Sequence, residues 1–379
     1  MTSRKRLSMT LWRTFSNSGG IALFLAGLIG LGGCAGFTGP SRQEAPVVAA
    51  RGLRIAVLPV NNLSRAAAPL KDLRQAIIGG LKERGAGVLA EADLEKFMAR
   101  HRLRYTGGID ADAGRALKEE TGADAVLISA LELYNESFPP KISLTLRLVS
   151  TAGDQRILWI DGRGLSGEDS PGILGLGLVT DPRALMEKAV HSLLDSLVAA
   201  NGESPAPGNR FKPLVMYRST VFNPALKYRV AVIPFYDLSG RRNAGEIVGL
   251  EFVHAMAPFG NFELIEPGTV AMKMLRNRII LDQGLSLAQA DILFETLQAD
   301  LILCGTVFTY EDAQGALGAP SVEFSAQLME KKSREVVWSS FSRNAGDDGV
   351  FFFDAGKVST VQALAMRMAR LTVGAMLRE

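Results

Sequence analysis

The chain has 379 residues, with 42 Lys+Arg against 39 Asp+Glu, 47% hydrophobic residues and only two cysteines. This composition fits ordered globular domains, about two of them at roughly 150 residues each, and excludes a disordered or disulfide-stapled chain. The first 33 residues hold four basic and no acidic side chains, so the remainder carries 38 basic (42 − 4) against 39 acidic groups and offers no electrostatic case for nucleic acid or an anionic membrane surface.

Arg4, Lys5, Arg6 and Arg13 precede an apolar run, Ile21 to Leu31. A membrane-spanning helix needs about 20 apolar residues, so this run reads as the core of a secretory signal. It ends in Leu31-Gly32-Gly33-Cys34, which resembles the lipobox of bacterial lipoproteins. That resemblance implies a diacylglyceryl group on the Cys34 thiol. It also implies a peptidase that recognises Leu31, Gly32 and Gly33 and cuts before Cys34, and acylation (palmitate-type chains) of the new amine. The expected layout is a signal peptide at 1–33 and a lipidated tether at 34–50. Each buried methylene contributes about 0.8 kcal/mol, and two or more chains anchor a protein stably. Ala35-Gly36-Phe37 follow the cysteine without an Asp, which points to the periplasmic face of the outer membrane. With Cys34 lipidated, Cys304 is left without a disulfide partner.

The remainder occurs twice. Leu53 to Pro59 (LRIAVLP) is echoed by Tyr228 to Pro234 (YRVAVIP), and Asn62-Leu63-Ser64 by Asp237-Leu238-Ser239. Ala123 to Leu127 matches Ala299 to Leu303, Tyr134 matches Tyr310, Trp159 matches Trp338, and Gly167-Glu168-Asp169 matches Gly346-Asp347-Asp348. The matches are collinear, about 175 to 180 residues apart, so each copy is a domain rather than a solenoid repeat. The expected domains are 51–200 and 227–379. Between them, 201–226 holds Pro205, Pro207, Gly208 and Pro213, a linker composition.

Within each copy a short β-branched run, Ile55 to Val60 or Val230 to Phe235, predicts a buried strand. A helix follows over about Leu70 to Arg84, with Leu73, Ile77 and Leu81 at helical spacing. A second strand is predicted at Val88-Leu89 and at Phe262 to Ile265. Two helices then end near Thr121 and Leu297, and Ser286 with Gln289 fits a capping box. Ala125 to Leu133 and Leu301 to Thr309 predict central strands. Ile142, Leu144, Leu146 and Leu148 alternate with Ser143, Thr145 and Arg147, the pattern of a half-buried antiparallel strand. Its counterpart carries Val322, Phe324, Ala326 and Leu328. A strand with Trp159 or Trp338 and a closing helix complete each copy.

The resulting fold class is α/β, with a mixed sheet of α+β character, in two tandem β-α-β-α-α-β-β-β-α copies. The segments RIAVLPVNNLS, RVAVIPFYDLS, GADAVLISALELY and QADLILCGTVFTY resemble the amino-terminal domain of TolB and the related lipoproteins CsgG, PelC and LpoB. The resemblance covers most of both copies and is carried by apolar strand signatures. It implies an envelope protein with protein partners, and homo-oligomers by analogy. No insert of alternating residues is long enough for the hairpins of a CsgG-type pore, because a strand through the outer membrane needs about 9–11 residues.

Little in the chain points to catalysis. GxxxxGK[ST], HExxH, GxSxG and CxxC are all missing from the sequence. His101, His191 and His254 are not at metal-ligand spacing and read as surface or partly buried residues. Cys304 reads as a small core residue. The acids Glu168, Asp169, Asp347 and Asp348 read as loop acids ahead of a helix N-terminus. Two apolar runs follow them, with Leu174 and Leu176 in one copy and Phe351, Phe352 and Phe353 in the other. They either pack back on the protein or meet a partner. The expectation is a non-enzymatic scaffold with no cofactor, no metal and no nucleic acid, held to the membrane by lipid on Cys34. The alternative is a ligand-binding or enzymatic envelope lipoprotein.

Overall fold

The computed structural model describes residues 52–169, 177–199, 210–313, 318–350 and 356–378, all within one compact unit, Gly39–Glu379. The first half runs β1 (Arg54–Val57), β2 (Asn61–Asn62), α1 (Leu70–Glu83), β3 (Gly87–Val88), α2 (Glu91–Arg100), α3 (Ala111–Thr121), β4 (Ala125–Asn135), β5 (Lys141–Ser150), β6 (Ile157–Ser166) and α4 (Pro182–Val198). The second half runs β7 (Val215–Arg218), β8 (Tyr228–Val232), β9 (Tyr236–Asp237), α5 (Ala244–Met256), β10 (Phe262–Leu264), α6 (Pro267–Arg276), α7 (Leu287–Leu297), β11 (Leu301–Glu311), β12 (Ser321–Glu330), β13 (Val336–Ala345) and α8 (Val361–Leu377).

The two sheets share one strand order. The first is β3-β1-β4-β5-β6 with β2 beside β4, and the second is β10-β8-β11-β12-β13 with β9 beside β11. Parallel pairing of β1 with β3 and β4 gives way to an antiparallel meander through β5 and β6, and the second sheet does the same. Register fixes which residues are equivalent: Leu148 pairs with Trp159 as Leu328 pairs with Trp338. The short β2 and β9 add to the predicted order. The stretch read as linker is partly strand, because β7 pairs antiparallel with β13 and widens the second sheet by one strand. Its apolar Val215, Met216 and Tyr217 supply the β propensity that the neighbouring prolines mask.

Alternation on the strands sets the layers. Leu127, Leu144, Leu146 and Leu148 meet Leu73, Ile77 and Leu81 of α1 and Leu185, Ala189 and Leu193 of α4. Val126, Ile128 and Val149 point the other way, toward Leu94 and Phe97 of α2 and Leu117 of α3. In the second half, α5 and α8 enclose Phe252, Phe324 and Trp338, while α6 and α7 cover Ile302 and Cys304. Burial pushes the Cys304 thiol up to about 12, as suits a core residue. The capping box of α7 is present, with Ser286 accepting from Gln289 N at 3.3 Å and donating its own backbone N–H to Gln289 Oε1 at 3.0 Å. Ser286→Ala is expected to lower stability by about 1 kcal/mol in urea unfolding. An unchanged midpoint would show that tertiary packing alone holds that helix.

Candidate functional site

The chemically capable side chains gather where the two halves meet. β5 is buried on both faces, including Ser143, Thr145 and Arg147, and not on one face as its alternation predicts. The equivalent residues of β12, Glu323, Ser325 and Gln327, are half-buried or exposed. The difference arises because α5 and α8 of the second half lie across β6 of the first. Leu63, Ala130 and Ile160 accordingly join the core of the second half. Gly162 and Gly164 permit the approach. A Cβ on Gly162 would stand 2.9 Å from Thr145 Oγ1 and 3.0 Å from Gln362 Nε2, and one on Gly164 would collide with Thr360 and Gln362.

The seam is polar at its centre. Asp161 on β6 lies 3.4 Å from His254 Nε2 on α5 and 2.9 Å from Arg163, and accepts from Ser196 Oγ at 2.6 Å. Burial works against its ionisation, yet His254, Arg163, Ser196 and the Gly162 amide outweigh it and hold the carboxyl below its ordinary value. Glu132 is the bulged residue of β4 and is fully buried. Burial pushes its carboxyl up to about 8, against the opposing pull of Thr145 and Arg241. Arg241 donates to the Glu132 carbonyl and stacks 4.9 Å from the centre of the Tyr310 ring. Glu251 on α5 accepts from Gln362 Nε2 at 2.6 Å. Burial, and then the Glu132 carboxylate, raise it well above its ordinary value.

Two ion pairs flank this centre. Arg147 is 1% exposed and donates from Nη2 and Nε to Glu266 Oε1 at 3.0 and 3.2 Å, and from Nη2 to the Gly107 carbonyl. Glu266 also caps α6 by accepting from Thr269 N at 2.9 Å. At the other end Lys141 Nζ donates to Asp312 Oδ2 at 3.0 Å and to the Ala313 carbonyl at 2.9 Å. Each pair crosses between halves, so the seam neutralises its own charges.

Of the residues singled out in the sequence, Cys34, Leu31, Gly32, Gly33, Leu174, Leu176, Phe351, Phe352 and Phe353 lie outside the described residues. Asp169 and Asp348 occupy equivalent turns, accepting from the backbone N–H of Ser166 at 2.7 Å and of Ala345 at 2.8 Å. His101 contacts Glu120 at 2.6 Å near the surface, and His191 is exposed. His254 is buried in the seam, a placement its spacing does not reveal. The other signal in the sequence is divergence: Ala76 and Gly79 of one copy stand where Glu251 and His254 stand in the other. Among the described residues no group of His, Cys, Asp and Glu is arranged to hold a metal ion, and no helix is long and apolar enough to cross a membrane.

The fold and seam define a mixed-sheet α/β protein whose halves dock sheet face against helix pair. No family model matches the chain, and no curated protein matches it. Among solved structures it is similar to the PelC dodecamer from Paraburkholderia phytofirmans, at 14% identity and a TM-score of 0.32, over 44% of this chain and 96% of that one. It is also similar to lipoprotein GNA1162 from Neisseria meningitidis, at 21% identity and a TM-score of 0.28, over 37% and 94%. A third is the LpoB C-terminal domain from Salmonella enterica, at 16% identity and a TM-score of 0.26, over 30% and 83%.

Removing Arg147 leaves Glu266 buried without its counterion, so Arg147→Ala is expected to cost about 3–5 kcal/mol in denaturant unfolding. A cost under about 1 kcal/mol would show that the pair does not hold the seam. The seam also sets a pH dependence. Glu132 and Glu251 bind protons more tightly folded than unfolded, so their stabilisation is lost as pH rises from the ordinary carboxylate range toward about 8. Asp161 acts oppositely and loses its contribution as pH falls through its depressed value. Stability measured by calorimetry is expected to fall between pH 5.5 and 8.5, on the order of 1 kcal/mol per pH unit for one proton. Glu132→Gln should flatten that slope, and a wild-type curve that rises over this window would contradict the assignment.

Proposed function

We propose that this chain is a lipid-anchored periplasmic scaffold on the outer membrane that organises an envelope complex for secretion, polysaccharide export or peptidoglycan synthesis, and catalyses no reaction itself. The observation that carries this reading is the use made of the titratable groups. Glu132, Asp161, Glu251 and His254 are 0%, 7%, 1% and 6% exposed, packed between a sheet and two helices. A catalytic group must come within about 3 Å of a reacting atom, and these groups face the other half of the same chain. They serve assembly of the body. The outer surface instead offers apolar contacts, including Leu275 in the last turn of α6 and Ile280 just after it, at 70% and 73% exposure. The resemblance of residues 31–34 to a lipobox supports the anchor, and that of the strand signatures to envelope lipoproteins supports the setting.

Mass spectrometry of the purified chain is expected to show residues 1–33 removed and acyl chains on Cys34. A free thiol at that position would sink the anchored reading. Photo-crosslinking from position 280 in intact envelopes is expected to capture a subunit of secretion, export or wall-synthesis machinery. Turnover of cell-wall fragments by the purified chain, abolished by Glu251→Gln without loss of fold, would favour the enzymatic alternative.

A further inference from the structure

The contact between the halves sets one sheet face against one helix pair, and each half owns a surface of both kinds. The first half uses its sheet face and the second its α5–α8 helix pair. Among the described residues this leaves two surfaces unmatched, the antiparallel end of the far face of the second sheet and the outer groove between α1 and α4. Register identifies the equivalent residues. Glu132, the bulged residue of β4, corresponds to Phe308, the bulged residue of β11. Gly162 pairs with Thr145 as Phe341 pairs with Ser325, and Gly164 pairs with Ser143 as Arg343 pairs with Glu323. On the helices, Gly79 stands where His254 does, and Asp181, the N-cap of α4, stands where Thr360, the N-cap of α8, does.

Sizes on the two unmatched surfaces are exchanged relative to the seam. In the seam small sheet residues, Gly162 and Gly164, receive large helix residues, His254 and Gln362. On the free surfaces the sheet carries the large residues. Phe308 and Phe341 lie together with ring centres 6.2 Å apart, and exposed Val215 is paired beside Phe341. The helix groove has small residues, Ala76, Gly79 and Gly80, with no atom of the described residues within 4 Å of a Cβ placed on Gly79, and Glu83, Glu187, Val190 and His191 also line it. Charges follow the same exchange. Gly164 faces Thr360 and Gln362 in the seam. The matching positions are Arg343 on the sheet, 3.6 Å from Glu323, and Asp181 and Arg183 on the helix, with Arg183 3.3 Å from Asp72. A phenylalanine over glycines is a favourable contact that the seam itself does not use, and an arginine over a carboxylate repeats the chemistry of Arg147 with Glu266.

We propose that the Phe308–Phe341 face of the second sheet docks into the α1–α4 groove of a second copy of this chain, repeating between chains the sheet-on-helix contact that joins the halves within one. This rests on the scaffold reading and names its first partner. Such a contact is heterologous, because each chain offers a different surface at each end. It propagates, and it closes into a ring or continues as a filament.

The test uses the full lipidated chain in detergent, followed by sedimentation velocity and native mass spectrometry. Assemblies of three or more chains are expected. Phe341→Asp and, separately, Gly79→Glu should each reduce them to monomers, with association weakened at least ten-fold, while circular dichroism stays as in the wild type. Mixing the two variants should restore one contact only, since the Gly79→Glu chain keeps its sheet face and the Phe341→Asp chain keeps its groove. The expected product is a heterodimer that grows no further. Should Phe341→Asp fail to fold, Gly79→Glu alone decides, because its side chain enters open space. Wild-type monomers at all concentrations, a strict dimer, assemblies indifferent to either variant, or a mixture that stays monomeric would each overturn the proposal. A monomer that still carries lipid and still crosslinks to envelope machinery from position 280 would overturn it while leaving the scaffold reading intact.

Discussion

A mixed sheet with apolar residues on both faces must be covered on both, and the first sheet of this chain finds its second cover in the other half of the molecule. α1 and α4 close one face of β4, β5 and β6, and α2 and α3 reach only the parallel end of the other. The antiparallel end would stand in water if α5 and α8 did not lie across it. The orientation of the two halves, the burial of His254 and the unusual state of the central carboxylates all follow from that one contact.

The seam is costly in a particular way. Charges removed from water lose several kcal/mol of solvation each, and only close partners recover it. Arg147 recovers it with Glu266 and the Gly107 carbonyl, and Lys141 with Asp312. Burial disposes Glu132, Glu251 and Glu266 to hold protons, and Arg147 opposes it at Glu266. An apolar seam would adhere in many registers, whereas misplacing Arg147 or Asp161 by one strand position would strand a charge. The polar contacts are satisfied in the arrangement in which Arg147 meets Glu266 and Asp161 meets His254.

The two halves share a strand order and part of their sheet core, and differ in residue type where their environments differ. Leu148 with Trp159 and Leu328 with Trp338 preserve the same sheet core. Gly162 against Phe341 and Gly79 against His254 differ in size, and one member of each pair lies in the seam and the other on the outside. Two halves of one strand order that dock sheet face to helix pair leave, among the described residues, one sheet face and one helix groove without a counterpart in the chain.

The order of elements was legible in the sequence because it depends on local pattern. The 3.6-residue spacing of Leu73, Ile77 and Leu81 gave α1, the two-residue alternation of Ile142 to Leu148 gave β5, and Ser286 with Gln289 gave the start of α7. The lipobox-like Leu31 to Cys34 is a pattern of neighbours along the chain, and the echo between the halves is a match of segments about 175 to 180 residues apart. Three features were decided only by tertiary structure. Val215 to Arg218 form a strand because β13 offers an open edge, which no nearby residue announces. Ser143, Thr145 and Arg147 read as a solvent face and are buried, because their cover comes from residues more than a hundred positions away. The seam itself joins Asp161 to His254 and Arg147 to Glu266, pairs whose separation along the chain carries no periodic signal, so their meeting is set by the packing of whole sheets and helices.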